Sequence, residues 1–356
     1  MRAVSPDVVQ LARFRARFGE NRFRSISPEY FEWKHRRNPY LPGYIYLERR
    51  GEEVIGSASI TPKKLLVLGQ IVLGGEFCDA FTDARHRREG IFSRGMQAGI
   101  EYAATHGIQM LYGTPSLGSA SYQGFLRKLG CELCPSARLH YMAKPLRPLK
   151  PFLKLGVKAV VKRRTRRSQP FRMLCRQVFG RTPCPPAQRD GEPLRISVLD
   201  RLAEDFDGLW GPPRYAFCTL RDRTYLTWRF LDNPDDYLLL GAHEGRDFQG
   251  YLAVKLSPDG ATGVICDYIT LHDNQLVFQG LLCEVERMLI ERKVRQLVTY
   301  CMEGSPYFQT LETHCFADRG AERGLCVVVH SGTDLARRLL ASSQPWHFTL
   351  ADSDNI

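Results

Sequence analysis

No apolar run in this 356-residue chain approaches 18 residues, which argues against an ordinary membrane-spanning helix. The first residues carry Val8, Val9, Leu11, Phe14 and Phe18 among arginines and lack the continuous apolar core of a secretion signal. A cytoplasmic location is the expectation. Cysteine is plentiful at eleven, but a pairing pattern is missing: the count is odd, and the one Cys-x-x-Cys, Cys131 to Cys134, has no second pair. Buried free thiols are therefore expected, with no metal site.

Acidic residues are missing from one long stretch. Between Glu132 and Asp190 there is no Asp or Glu, while Lys and Arg occur at 15 positions. The whole chain carries a formal charge of +12, so the remainder is slightly acidic. This reads as two nearly neutral lobes joined by a basic connector at 144–192. Pro145, Pro148 and Pro151 keep its start extended, and Lys150, Lys154, Lys158 and Lys162 then recur every four residues beside Phe152, Leu153 and Val157. A basic stripe with an apolar flank suits an anionic membrane surface, engaged through residues 144–182 from the cytoplasmic side. A solvated linker is the plain alternative. Nucleic acid is disfavoured, since aromatics are sparse here and no reader motif is present.

What is present centres on Asp79 to Tyr102. A short apolar strand, Glu76 to Thr82, runs into a basic turn at Arg85 to Gly90, and helical spacing then begins with Phe92, Met96, Ile100 and Ala103. A strand, a turn and a helix start together present unpaired N–H groups and the positive end of a helix dipole. That combination suits a phosphate.

The turn resembles the coenzyme A loop of the GNAT acetyltransferases, whose pattern is Arg or Gln, two residues, Gly, one residue, then Gly or Ala. It reads here Arg87, Arg88, Glu89, Gly90, Ile91, Phe92, with Phe92 in the last small position and Arg88 where Gly is common. The strand Met110 to Thr114 and the following helix continue the family order as far as Leu126, Gly130 and Cys131, so the resemblance spans about residues 25 to 142. It implies an acetyl-CoA donor and an amine acceptor, with cofactor contacts from Phe81, Thr82, Asp83, Arg87, Arg88, Glu89, Gly90, Ile91, Phe92, Ser93, Ser116 and Ser121. The backbone of Phe81 to Asp83 would also polarise the thioester carbonyl.

Acyl transfer to an amine also needs a base. The family commonly draws it from the strand ahead of the loop, where Glu76 and Asp79 are the two carboxylates. Three residues apart in a regular strand, they are expected on opposite faces, with Glu76 favoured as base and Asp79 as structural. Leu126 stands where the family usually has its acid, a Tyr. Tyr122, one helical turn earlier, reads equally as a proton donor to the thiolate or as an ordinary packed side chain.

The second half repeats the layout of the first. Tyr225, Trp228 and Asn233-Pro234 follow Tyr30, Trp33 and Asn38-Pro39 at an offset of 195, and Cys266-Asp267 matches Cys78-Asp79. The expected fold is mixed α/β (an α+β mixed sheet), with two tandem GNAT-like domains at 1–143 and 193–342, the connector between them and a tail at 343–356. The second loop, from Tyr268 to Phe278, has neither Gly nor Arg. That copy is expected to be degenerate and non-catalytic. The leading reading is an N-acetyltransferase whose acceptor stays open among amino sugars, envelope or polysaccharide precursors, polyamines and peptides. An aminoacyl or peptidyl transferase of cell-envelope type and an inactive binding protein are the alternatives.

Overall fold

A computed structural model describes residues 4–19, 25–147, 193–203, 206 and 214–353. The amphipathic stripe and its membrane expectation fall at 148–182, outside the described residues.

The first copy opens with helix α1 (Pro6–Ala16), which buries Val8, Leu11 and Phe14. A single turn, α2 (Pro28–Phe31), follows, capped by the Ser27 hydroxyl, and continues as a π-turn over Glu32–Arg36. Strands β1 (Tyr44–Arg50), β2 (Glu53–Val67) and β3 (Gln70–Thr82) form an antiparallel meander. Leu68 and Gly69 both take positive φ and make the two-residue hairpin turn between β2 and β3.

Helix α3 (Ile91–Thr105) lies on one face of this meander. It can approach closely because a Cβ at Gly95 would stand 2.8 Å from Tyr46 and 2.9 Å from Ala58, and one at Gly99 would stand 2.9 Å from Ile60. Strand β4 (Met110–Gly113) then pairs parallel to β3, helix α4 (Ala120–Lys128) follows, and β5 (Cys131–Pro145) ends the copy.

The second copy repeats the order. β6 (Leu194–Val198) and β7 (Phe217–Thr219) precede helix α5 (Arg223–Leu226) and a second π-turn, Thr227–Leu231. Strands β8 (Tyr237–Glu244), β9 (Asp247–Leu256) and β10 (Thr262–Thr270) make the meander, and α6 (Gln275–Glu291) covers it. Then come β11 (Gln296–Met302), α7 (Pro306–Thr313), β12 (Ala317–Asp318), β13 (Leu325–His330) and α8 (Asp334–Leu340).

The thirteen strands of the described residues belong to one sheet, ordered β1-β2-β3-β4-β13-β5-β11-β10-β9-β8-β6, with β7 on β2 and β12 on β5. The copies exchange strands. β13 belongs to the second copy in sequence but lies between β4 and β5 of the first. β5 pairs with β13 from Cys131 to Leu139, then crosses over and pairs with β11 from Leu139 to Pro145. Each copy thus completes the other's hydrogen-bond ladder, and neither sheet closes alone.

Residues 345–353, which the sequence reading left as a tail, thread through the interior. Trp346, Phe348 and Leu350 are buried, and the chain is tied down by Ala216 N–H donating to Pro345 O (2.8 Å) and His347 N–H to Phe217 O (2.9 Å).

Candidate active site

The site begins with a defect in β3. Asp79 has φ +48°, and between Ser57 and Ser59 the register with β2 shifts by one. This bulge corrects the expected orientation. Cys78 and Asp79 both reach Ser59 Oγ, at 3.2 and 3.0 Å, so the carboxylates of Glu76 and Asp79 fall on the same face of the sheet. It is the face away from α3.

Beyond the bulge, β3 and β4 part. Their last pair is Phe77 with Gly113, while β3 runs on to Thr82. Asp83 N–H donates to Ile55 O (2.9 Å), so by strand alternation the N–H of Thr82 points away from β2, toward the open wedge. Asp83 fits the expected role poorly. Its amide is taken, and its carboxylate accepts from Arg85 N–H (3.0 Å) and pairs with the Arg85 guanidinium.

At the mouth of the wedge lies the basic turn. Arg88 (φ +71°) and Gly90 (φ +79°) both take left-handed backbone, and Gly90 is the N-cap of α3, so the helix start has no side-chain cap, while Arg94 Nη1 lies over the turn and donates to Glu89 O (2.8 Å). The conformation at Gly90 explains the glycine: any side chain there is strained. The arginines divide into two sets. Arg85 pairs with Glu53 and Asp83, and Arg94 with Glu48, whereas Arg87 and Arg88 are exposed and have no carboxylate partner among the described residues. The turn thus combines the amides of Ile91, Phe92 and Ser93, the helix dipole and two arginines without a carboxylate partner among the described residues, a donor set that fits a pyrophosphate. Glu89 points elsewhere, to Arg50 (2.9 Å) and His86 (3.0 Å).

Glu76 is 1% exposed and sits in a network that sequence reasoning missed. Lys63 Nζ donates to its Oε2 (2.7 Å), and also to Tyr112 Oη (3.2 Å) and the carbonyl of Asp352 (2.9 Å). Thr114 Oγ1 donates to Glu76 Oε1 (3.2 Å) and shares a hydrogen bond with Ser353 Oγ (3.0 Å). The second copy's C-terminal segment thus reaches the carboxylate of the first. Burial and the Glu76 carboxylate raise the Tyr112 hydroxyl well above its ordinary range, so it stays a donor, here to Asp352 O (2.8 Å).

Asp79 is gripped by Lys34 Nζ (2.6 Å), His35 Nε2 (3.3 Å) and Ser59, with Arg15 Nε at 3.8 Å and the Arg15 guanidinium over the Phe81 ring. A signal for both clusters was in the sequence. Ser57, Ser59, Thr61 and Lys63 alternate along β2, marking a polar face, and Lys34-His35 adjoin Trp33 in the repeated motif.

Tyr122 lies on the other side of the sheet. Ser119 Oγ caps α4 by accepting from Tyr122 N–H (3.2 Å), and the ring packs half-buried, with Leu126, against the core beneath α3 and α4. Its hydroxyl has no partner among the described residues. Ser121 Oγ meets Ser119 Oγ at 3.0 Å and Ser116 is exposed. The Phe92 ring packs edge-on against Phe125 (5.5 Å), over Gly124, where a Cβ would come within 2.6 Å of it.

The second copy has the same parts in a closed form. Its bulge falls between Ile265 and Asp267, and Asp267 is held by Arg221 (3.0 Å), Tyr251 (2.7 Å) and Thr349 (2.7 Å). The amide of Thr270, the counterpart of Thr82, is occupied by the Tyr307 hydroxyl (2.9 Å). Asn274 Oδ1 caps α6 by accepting from Leu276 and Val277, and Asp273 beside it is bonded to Tyr215 (2.7 Å) and Tyr307 (3.1 Å) and paired with Arg214 (2.9 Å). The strand amide and the helix start that are open in the first copy are both filled here. No cluster of His, Cys, Asp and Glu placed to hold a metal occurs among the described residues.

Residues 16–134 match the model of the acetyltransferase (GNAT) domain family. No curated protein matches the sequence. Among solved structures, a tandem GNAT protein from the clavulanic acid biosynthesis pathway is similar with a TM-score of 0.58 and 16% identity, over 92% of this chain and 96% of that one. A probable N-acyltransferase from Enterococcus faecalis gives 0.55 and 12%, over 91% and 68%. N-myristoyltransferase from Saccharomyces cerevisiae, solved with bound myristoyl-CoA, gives 0.52 and 13%, over 91% and 75%. At these identities the likeness is one of fold, and it extends across both halves.

Proposed function

We propose that the protein is an N-acyltransferase that moves an acetyl group from acetyl-CoA to a primary amine, a reading supported by the match of residues 16–134 to the GNAT acetyltransferase domain model. The observation that carries this is the uncapped start of α3 at Gly90, with Arg87 and Arg88 uncommitted beside it and the β3–β4 wedge leading inward. Coenzyme A supplies the activated thioester. The amides of residues 91–93 and the two arginines would hold its pyrophosphate, and Thr82 N–H would receive the pantetheine arm. Each charge-assisted contact contributes about 1.5–3 kcal/mol.

For the amine, we assign Glu76 as base, reached through the Thr114 hydroxyl, which is hydrogen bonded both to it and to Ser353. Lys63 Nζ pairs with the same carboxylate at 2.7 Å. Asp79 fixes Lys34 and His35 at the bulge, and Tyr122 is the candidate donor to the departing thiolate. Amino sugars and envelope or polysaccharide precursors suit the acceptor role if the basic 144–182 segment meets an anionic membrane surface, which sedimentation with acidic-lipid vesicles at low and high salt would report. The second copy serves as scaffold. Calorimetry with CoA, followed by mass spectrometry of an amine panel incubated with acetyl-CoA, tests the whole reading. Failure to bind CoA would sink it.

A further inference from the structure

Building on the acyl-CoA reading, we infer that Phe125 sets the length of the acyl group and that the first copy accepts acetyl-sized donors while excluding longer chains. Strands β3 and β4 remain paired up to Phe77 and Gly113, so the wedge closes at that pair. A chain carried to the closed end has two ways onward, one on each face of the sheet.

On the α3–α4 face the way is blocked by the Phe125 ring. It lies so near the strand that a Cβ at Gly113 would stand 3.1 Å from its Cζ. The ring cannot swing aside easily, being held against Phe77 (5.4 Å between centroids) and Phe92 (5.5 Å), and it is 4% exposed. Phe92 is itself pinned over Gly124. The aromatic residue that departs from the family's small position is therefore part of the barrier.

On the opposite face the space past Gly113 is taken by the hydrogen-bonded set of Thr114, Glu76 and Ser353. An aliphatic chain entering there would have to separate buried polar groups from their partners, at a cost that apolar contact would not recover.

The test is affinity, not turnover. Calorimetric titration of the full chain with CoA, acetyl-CoA and hexanoyl-CoA should give similar affinities for the first two and on the order of tenfold weaker binding of hexanoyl-CoA, since a filled core resists added methylenes. Phe125→Ala should bring hexanoyl-CoA to within about threefold of acetyl-CoA, and Phe125→Leu, which keeps more of the packing, should move it part of the way. Equal affinity of the wild-type chain for acetyl- and hexanoyl-CoA would overturn the inference while leaving the acyl-CoA reading intact. So would an unchanged ratio in Phe125→Leu. Absence of CoA binding by the wild-type chain would remove both.

Discussion

Trp33 and Trp228, 195 residues apart, each donate an indole N–H to the other's backbone carbonyl, at 2.9 and 3.4 Å, with their rings stacked 4.8 Å apart and 17° between planes. Identical residues making the same contact in both directions is the mark of a two-fold relation between the copies. Its surroundings obey the same rule. Asn38 accepts from Tyr40 N–H and Asn233 from Asp235 N–H, while across the interface Tyr40 donates to Asp222 and Ser25 N–H to Asp235. Each π-turn that carries a tryptophan begins one residue before it, at Glu32 and Thr227.

This pairing predicts matched energetics. Trp33→Phe and Trp228→Phe each remove one donor and leave a buried carbonyl unsatisfied, a loss of about 1–3 kcal/mol apiece. Because they share one contact, the double variant should fall short of the sum. Denaturant titration measures all three. With the strands exchanged as well, unfolding should be a single transition in every variant that still folds. Two separated transitions in the wild-type chain would mean that the copies are independent after all.

The two loops predict an asymmetry in binding. Gly90→Val places a β-branched residue at φ +79° and crowds the anion site, so CoA binding should vanish in calorimetry. Arg87→Ala and Arg88→Ala should each weaken it by roughly ten- to a hundredfold. Asn274→Val removes the cap of α6, costing about 1 kcal/mol of stability, and should leave CoA affinity unchanged. Loss of CoA binding in that variant would place the cofactor in the other copy.

How much of this was legible in the sequence depends on whether a feature is local. The repeat could be read from Trp33 and Trp228 and their matching Asn-Pro steps. The loop could be read from Arg87 and Gly90. The bulge at Asp79 could not, because Glu76 to Thr82 has the composition of an ordinary strand and the positive φ arises from pairing with β2. The crossing of β5 was hidden for a similar reason: Cys131 to Pro145 reads as strand whichever sheet it joins, and β13 and β11 decide the outcome. The buried C-terminal segment did carry a sign. Trp346, Phe348 and Leu350 alternate with polar residues, the period of a half-buried extended chain, in a place that short length and position made easy to take for a tail.

The carboxylates predict a separation of stability from rate. Glu76→Gln leaves Lys63 buried without a counter-charge and should cost about 3–5 kcal/mol of stability. Adding Lys63→Met should restore much of that, since an apolar replacement of a buried ion pair is often neutral. Acetyl transfer, by contrast, should stay low in the double variant, with CoA affinity near wild type, if Glu76 is the base. Recovery of both would make Glu76 structural, and a comparable rate loss confined to Asp79→Asn would move the role there. Tyr122→Phe removes a hydroxyl with no partner among the described residues, so stability should hold. A drop in kcat marks Tyr122 as the thiolate's donor, and an unchanged kcat marks it as packing.

The last prediction concerns acid. His347 is 3% exposed, ringed by Tyr215 (5.2 Å) and Tyr307 (5.9 Å), and lies near the Arg221 guanidinium. Burial first, and that guanidinium second, pull its pKa down to about 4, and burial does the same for His314, also to about 4. Both are neutral in the folded chain at pH 7, as they are largely in the unfolded one. Below pH 6.5 the unfolded chain takes up protons that the folded chain refuses, so stability is complete above that pH, declines as the pH falls toward 4, and levels off below. A shift of this size on His347 corresponds to a loss of about 3 kcal/mol across the window. His347→Gln should flatten the slope of denaturation midpoint against pH between 6.5 and 4, and adding His314→Gln should flatten it further. Asp352, held low by Arg221 despite its burial, acts in a separate window, below the ordinary range of an aspartate. A profile that stays level down to pH 4 and then breaks would assign acid sensitivity to that carboxylate, and would mean that the two histidines find water or a partner when charged.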